Sequence, residues 1–383
     1  MFTRTRFTRT RWLCAAALSA LGAHAAQAET LSYAGGWPSS AGANGALESY
    51  ARAVEANSGG ELKVKVYPLS LLNFAEANAG VKDGIADMAT ILTPYFAAEF
   101  PRLNMMAEAS PMMGLEDFAS PRSFMAFAGA MSELILTRCP GCLEEIAAQN
   151  QVFMGASATT SYILQCVTPA GSLEDLAGLR IRTAGPFWSR WVEAMGATPV
   201  TISINETFEA LNQGVLDCTA SNPTDMTAFR FIEAVDHVVD GAPGGQFPLP
   251  TMINRDRWQG LDAQAKAAIM QANARLMAEM AWVYHEDGLA AFRDAAERGV
   301  EIAAPAPDLA EKSQAFIEAD LTSVAGAYRE KYGIEDSEAM LGDLRELVGK
   351  WTVLIAEAET ADALATVYWD EIYSKVDLAA YGG

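Results

Sequence analysis

The sequence predicts an α/β protein built as two lobes on open, mostly parallel sheets, with one long helix late in the chain. Three observations carry this reading. Short apolar or alternating runs trade places with stretches of helical periodicity from residue 31 onward, the order that parallel sheets covered by helices require. That βα texture occurs twice, in residues 31–92 and again in 152–218. Residues 262–298 then hold no Pro and a single Gly, Gly288, among many Ala, Met and Glu, which suits one helix bent near that Gly.

The elements follow in order. "LSYAGG" (31–36) reads as a strand, and residues 41–57 as a helix with Leu47, Tyr50, Ala51 and Val54 on one face. "SGG" (58–60) stops that helix, "ELKVKVYP" (61–68) alternates as a half-buried strand, and a helix over 74–84 leads to the buried strand "ADMATIL" (86–92). The second block runs through "VFMGAS", "SYILQCV", "LRIRTAG", a helix over 186–196, "TPVTIS", a helix over 205–214 and "LDCTAS". The tail (307–373) is mostly helical in pattern, with breaks expected near Gly333 and Gly342. Nothing resembles a flexible interdomain linker, so several chain crossings are expected to join the lobes.

The first 28 residues read as an export signal. Arg4, Arg6, Arg9 and Arg11 precede the apolar stretch Leu13 to Leu21, and Ala26-Gln27-Ala28 offers a small-x-small cleavage site. The apolar run is too short for a membrane anchor. Cleavage would leave 23 basic against 48 acidic residues, a charge of −25, which argues against nucleic acid and anionic lipid surfaces as partners. Four cysteines remain: Cys139, Cys142, Cys166 and Cys218. An even number in an exported chain favours disulfides. Three pairings are possible and the sequence does not choose among them; Cys139–Cys142 with Cys166–Cys218 is the preferred one. A thioredoxin-like site at "CPGC" lacks its context, and the spacing is not that of paired zinc knuckles.

Little of the chain suits catalysis. Only His237 and His285 remain after cleavage, which leaves no multi-histidine metal site and little for Ser-His-Asp chemistry. No nucleophile elbow, phosphate-binding loop or dinucleotide fingerprint occurs. Glu206 in "NETFEAL" reads first as an acid in the opening turn of a helix.

One stretch asks for a ligand. In "GLRIRTAGPFWSRW" (178–191) Arg182 is the last strong strand residue, and Gly185-Pro186 supplies the N-cap and first position of the following helix. Ligands of open parallel sheets bind beyond the carboxyl ends of the strands, where helix N-termini favour anions. A guanidinium there can hold a carboxylate by two parallel hydrogen bonds. Arg180, further from that mouth, is expected to pair with an acid such as Glu174 or Asp175. Phe187 and Trp191 share a core face, while Trp188 is a candidate for the pocket wall. Trp37 and Tyr95 follow the first and third strands and are placed to cover a ligand from the other lobe.

These segments resemble the periplasmic solute-binding subunits of tripartite ATP-independent periplasmic (TRAP) transporters, of the dicarboxylate-receptor type. The resemblance rests on "VKDGIADMATILTPYFAAEFP" (81–101), "SLEDLAGLRIRTAGPFWSRWVEAMGATPV" (172–200), "SINETFEALNQGVLDCTASNP" (203–223) and "INRDRWQGL" (253–261). It implies the two-lobed periplasmic binding protein fold, with the long helix spanning both lobes. Lobe I would take residues 29–152 with part of 240–285, and lobe II residues 153–239 with part of 286–345; 346–383 form a helical tail. It further implies capture of a small carboxylate in the interlobe cleft, without a cofactor, and its delivery to an ion-gradient-driven membrane permease. The family's ligand arginine falls on Arg182 and its helix-opening acid on Glu206. The pocket asparagine falls on Ser221 in a gapless match, or on Asn222 after a one-residue slip. Cys218 stands where the family has Gly, which supports a Cys166–Cys218 bridge. Tyr162 replaces the additional Arg of sialic-acid-binding members, which argues against that ligand and leaves Tyr162 among the candidate contacts. The other readings to be tested are an exported enzyme using Glu206 as a base, and a receptor serving a membrane sensor.

Overall fold

The computed structural model describes residues 1–3, 28–115 and 117–383. Of the expected signal segment, residues 1–28, positions 4–27 lie outside the described residues. Two twisted sheets form the frame. The chain lays down β1 (Glu29–Gly35), β2 (Leu62–Pro68), β3 (Met88–Thr90) and β4 (Gln151–Ala158) in the first sheet. It then builds β5 (Ile163–Cys166), β6 (Arg180–Thr183), β7 (Thr198–Thr201), β8 (Cys218–Ser221) and β9 (His237–Pro243) in the second. β10 (Pro248–Asn254) returns to the first sheet and β11 (Glu301–Ala303) closes the second.

The orders are β2-β1-β3-β10-β4 and β11-β9-β5-β8-β6-β7. Each sheet is parallel apart from one strand, β10 in the first and β5 in the second, which runs against both neighbours. β2 is an edge strand, and its exposed Lys63 and Lys65 discourage pairing with another chain. β4 is buried at all eight positions. It carries a bulge opposite Thr251/Met252, and the Met154 carbonyl accepts a hydrogen bond from Asn273 of the long helix. Gly155 beside it has φ +132°, and a Cβ there would collide with the Tyr373 hydroxyl.

β4 corrects the sequence reading, which put "VFMGAS" in the second block and a lobe boundary after residue 152. The strand belongs to the first sheet, and the chain crosses only at 159–162. A second crossing, 244–247, runs beside it. Thr159 N–H donates to the Phe247 carbonyl (2.9 Å), Tyr162 N–H to the Gly245 carbonyl (2.8 Å) and Gly244 N–H to the Tyr162 carbonyl (3.1 Å).

The third connection is the helix Ala263–Glu297, 35 residues and roughly 50 Å long at the usual rise. Asp262 caps it by accepting from Ala265 N–H at 2.8 Å. Its first part packs Ile269, Met270, Met277 and Ala281 into the main core. Its end packs Ala291 and Ala295 against Ile163 and Val238 of the second sheet, so one helix serves both lobes. The tail forms helices Pro307–Tyr332, Ser337–Leu354 and Ala361–Glu371. The break at Gly333 is present, with φ +68°. The expected break at Gly342 is absent: that Gly lies inside a helix held by the buried Leu344, Leu347, Val348 and Trp351.

Both preferred disulfides form. Cys139–Cys142 spans the start of the helix Pro140–Ala148. Cys166–Cys218 joins β5 to β8 at directly paired positions.

Candidate functional site

Between the lobes lies a narrow, partly open pocket with only about 20 Å³ of free space. Trp37, Phe74, Leu92 and Tyr95 approach it from the first lobe, Arg182, Ile204, Asn222, Asp225 and Phe229 from the second. Thr159, Tyr162, Phe247 and Leu249 come from the crossings and β10, and Tyr284 from the long helix. The lobes are in contact around it. Asn205 donates its amide to the Gly36 carbonyl (2.9 Å) and accepts from Phe74 N–H (3.3 Å). A Cβ on Gly185 would stand 2.9 Å from the Cβ of Pro94, so glycine there lets the two lobes approach.

β6 explains how a guanidinium reaches this place. It is an interior strand between β7 and β8, with Ile181 in the core and Arg182 only 1% exposed. Arg182 Nε donates to the Ile202 carbonyl (3.1 Å), one Nη to the Ala220 carbonyl (3.3 Å), and the other to the Tyr95 hydroxyl (2.7 Å). A guanidinium has five N–H bonds. Two are therefore left over, one on each Nη, the pair that a carboxylate can bridge end-on. Tyr95 also accepts from Ile204 N–H at 2.9 Å, so its own hydrogen is left for another acceptor. A first-lobe phenol thus holds both the second-lobe arginine and a second-lobe helix start.

The second polar group is Asp225. It is buried, and its Oδ2 accepts from the Asn222 amide at 2.7 Å. Burial raises its pKa to about 7; the Arg182 charge and hydrogen bonds from Asn222 and Ser221 pull the other way without cancelling it. The Asn222 Oδ1, also buried, has no hydrogen-bond partner. Burial holds the Tyr162 and Tyr284 hydroxyls well above the usual phenol range, and the latter accepts from the Trp37 indole at 3.0 Å.

Of the residues singled out from the sequence, Arg182, Asn222, Trp37, Tyr95 and Tyr162 line the cavity. Trp188 does not. Its indole N–H donates to the Gly244 carbonyl at 3.0 Å, which turns the ring against the crossing segments. There it stacks on Phe247 (5.5 Å) and packs beside Tyr162 (4.6 Å), supporting two rings that do face the cavity. Ser221 is also behind the wall, accepting from the Gln165 amide at 2.9 Å, so the asparagine is the residue at the cavity surface. Glu206 is spent on its helix: it accepts from Ser203 N–H at 3.2 Å in a capping box. Arg180 is paired as expected, but with Asp217 (2.7 Å) in place of Glu174 or Asp175. Phe187 and Trp191 are core.

Sequence reading missed Asp225, Phe247, Tyr284 and Phe74. Asp225 opens a four-residue helix, a common place for an acid, and nothing in its local sequence marks its burial. The others are marked only by hydrophobicity.

A wider depression of about 780 Å³ lies between residues 143–153 and the C-terminal Tyr381–Gly383. Its one lining cation, Arg255, is bonded to the Gly383 carbonyl and offers little to a ligand. Among the described residues no group of three or more His, Cys, Asp or Glu could hold a metal, and no helix is long and apolar enough to cross a membrane.

The model of the family "Bacterial extracellular solute-binding protein, family 7" (DctP) matches residues 142–325. A solute-binding protein of Albidiferax ferrireducens is 23% identical over 233 residues, 60% of this chain and 65% of that relative, just under two thirds of its length. Among solved structures, the Bordetella pertussis extracytoplasmic solute receptor DctP6, which binds pyroglutamic acid, aligns with a TM-score of 0.69 at 20% identity, covering 83% of this chain and 99% of that one. A marine metagenome TRAP solute-binding protein specific for aromatic acids, solved with 3-hydroxybenzoate, aligns with a TM-score of 0.70 at 21% identity, over 85% and 99% of the two chains. At such identities these structures show a shared fold.

Proposed function

We propose, for a chain that belongs to the DctP-type bacterial extracellular solute-binding proteins, that it captures a small organic acid in the periplasm and hands it to a TRAP permease. The observation that carries this reading is Arg182: a buried guanidinium with two N–H bonds left over, at a narrow aromatic-lined pocket between two lobes. In a site shielded from water, a carboxylate bridging that pair gains charge-assisted hydrogen bonds in a fixed orientation. Rings on both sides then cover the body of the acid. The structural relatives' own ligands, pyroglutamate and hydroxybenzoate, are small acids, and the lobes would have to part to admit one.

Capture requires the lobes to part and close. The crossings at 159–162 and 244–247, with the long helix beside them, are the connections about which they would turn. Tyr95 would join the lobes on closing, since it bonds Arg182 and Ile204 at once. The enzyme reading has no support here: Glu206 is occupied by its cap, and no histidine lines the cavity.

A thermal-shift screen of small carboxylates against the wild-type protein and Arg182→Ala tests the proposal. Binding to the native state raises apparent stability, by roughly 2.7 kcal/mol at a hundredfold excess over Kd. The expected result is one class of acids that stabilises the wild type and leaves Arg182→Ala unmoved. Equal shifts in both proteins, or stabilisation only by solutes without a carboxylate, would overturn the reading.

A further inference from the structure

The cavity's polar groups are not all donors. Arg182 is its one lining cation and Asp225 its one lining acid. Both are buried, at 1% and 4% exposure, so with Asp225 ionised, as it is above about pH 7, their charges sum to zero. Asn222 and Asp225 are tied together by the 2.7 Å bond from the Asn222 amide. Asn222 and the Ser221 hydroxyl thus take part of the carboxylate's capacity to accept, and Asn222 Oδ1 is left without a partner. An ionised carboxylate can accept several hydrogen bonds, so the pair presents spare acceptors side by side and no spare acidic hydrogen. A buried acceptor left unsatisfied is destabilising, and an uncompensated buried charge more so.

A ligand that offered only carboxylates would satisfy Arg182 and leave these acceptors facing a negative body. A second carboxylate would make the charge imbalance worse. What the acceptors lack is a hydrogen donor, and a positively charged one would also restore the charge sum. The aromatic faces around them favour a cation as well.

On the reading that Arg182 takes the ligand's carboxylate, we propose that Asp225, with Asn222, is a second recognition point. It selects acids that carry a proton-bearing nitrogen, an ammonium best of all, and rejects dicarboxylates. Asp225 determines specificity, and Arg182 determines that the ligand is an acid.

Matched pairs of acids isolate the nitrogen. Proline and cyclopentanecarboxylate differ by an N–H₂⁺ for a CH₂. Pyroglutamate and its ring-oxygen analogue, 5-oxotetrahydrofuran-2-carboxylate, differ by an N–H for an O. Each is titrated calorimetrically at pH 8 into the wild type, Asp225→Asn, Asp225→Ala and Arg182→Ala, with succinate as the dicarboxylate. Asp225→Asn can keep its oxygen on the Asn222 amide and turn an NH₂ towards the ligand; Asp225→Ala removes the acceptor if that amide reorients. The expected result is a nitrogen member that binds the wild type at least tenfold more tightly than its isostere and than succinate. That preference disappears in both Asp225 variants. Isosteres or succinate binding as tightly as the nitrogen acids, a preference that survives both substitutions, or no binding by any of the five would overturn the inference. The two readings fail separately. If cyclopentanecarboxylate or succinate binds as tightly as the nitrogen acids and Arg182→Ala abolishes it, carboxylate capture stands and selection by Asp225 falls. If Arg182→Ala binds as the wild type does, carboxylate capture itself falls.

Discussion

Replacing Asp225 by Asn should stabilise the unliganded protein at neutral pH, and the size of the gain follows from its surroundings. In the unfolded chain this carboxyl titrates near 3.8; in the fold burial raises it to about 7. Between those values the native state holds a proton that the unfolded chain has released. Stability therefore falls as pH rises through the window from about 4 to about 7, and levels off above it. Three units at about 1.36 kcal/mol each give roughly 4 kcal/mol, as an upper figure, since water entering the open cleft would lessen the burial. The charged and titratable groups facing Asp225 are Arg182, Tyr162 and Tyr284, and burial keeps the two phenols from titrating in that window. Asn keeps a partner for the Asn222 amide but carries no charge. Urea denaturation of wild type and variant from pH 4 to 8 measures the difference directly. The variant should gain up to about 4 kcal/mol at pH 8, with the two proteins converging near pH 4. A variant no more stable than the wild type at pH 8, or a constant difference across the range, would refute the claim that this acid is buried without full compensation.

Three further outcomes follow from the contacts around the cavity. Tyr95→Phe strips the acceptor from both Arg182 and Ile204 N–H. It should cost roughly 2 kcal/mol in stability by denaturant titration, and should weaken acid binding as well. Gly185→Ala places a methyl 2.9 Å from Pro94 while its extended backbone stays unstrained. Small-angle scattering with saturating ligand should show a less closed molecule, and affinity should fall without loss of folding. The Cys166–Cys218 bridge, with a sequence separation of 52, should contribute about 4 kcal/mol by loop-closure entropy. Cys139–Cys142, with a separation of 3, should contribute about 2 kcal/mol. Double serine variants of each pair, compared by thermal melting, should rank in that order.

What the sequence made legible was local chemistry with a period or a position. The alternation of "ELKVKVYP", the uninterrupted helical run before Arg298 and the strand-end placement of Arg182 each depend on a few neighbouring residues, and each is found in the fold. Trp37 and Tyr95 were placed correctly because they follow strands whose ends meet at the cleft. The rest depends on distant parts of the chain. β9 and β10 carry Gly241, Pro248 and Pro250, residues that local pattern does not favour in strands, and pairing with β5, β3 and β4 makes them strands. The true crossing after Ala158 is set by β10 returning to cover β4, more than ninety positions later. Trp188 leaves the pocket wall for a similar reason: the Gly244 carbonyl, brought over by the crossing, binds the indole, and Phe247 lines the cavity. Asp225 looked like any acid opening a short helix. Its meaning arises from burial beside Arg182, which no local pattern encodes.

The account stands or falls on the two N–H bonds that Arg182 leaves over. Calorimetric titration of the acid giving the largest thermal shift, into wild type, Arg182→Lys and Arg182→Ala, tests them. Two charge-assisted hydrogen bonds in a buried site are worth about 3–6 kcal/mol, so Ala should weaken binding by roughly two to four orders of magnitude. Lys keeps the charge but not the fork, and should still lose at least about tenfold. A Kd in Arg182→Ala equal to that of the wild type would contradict the account.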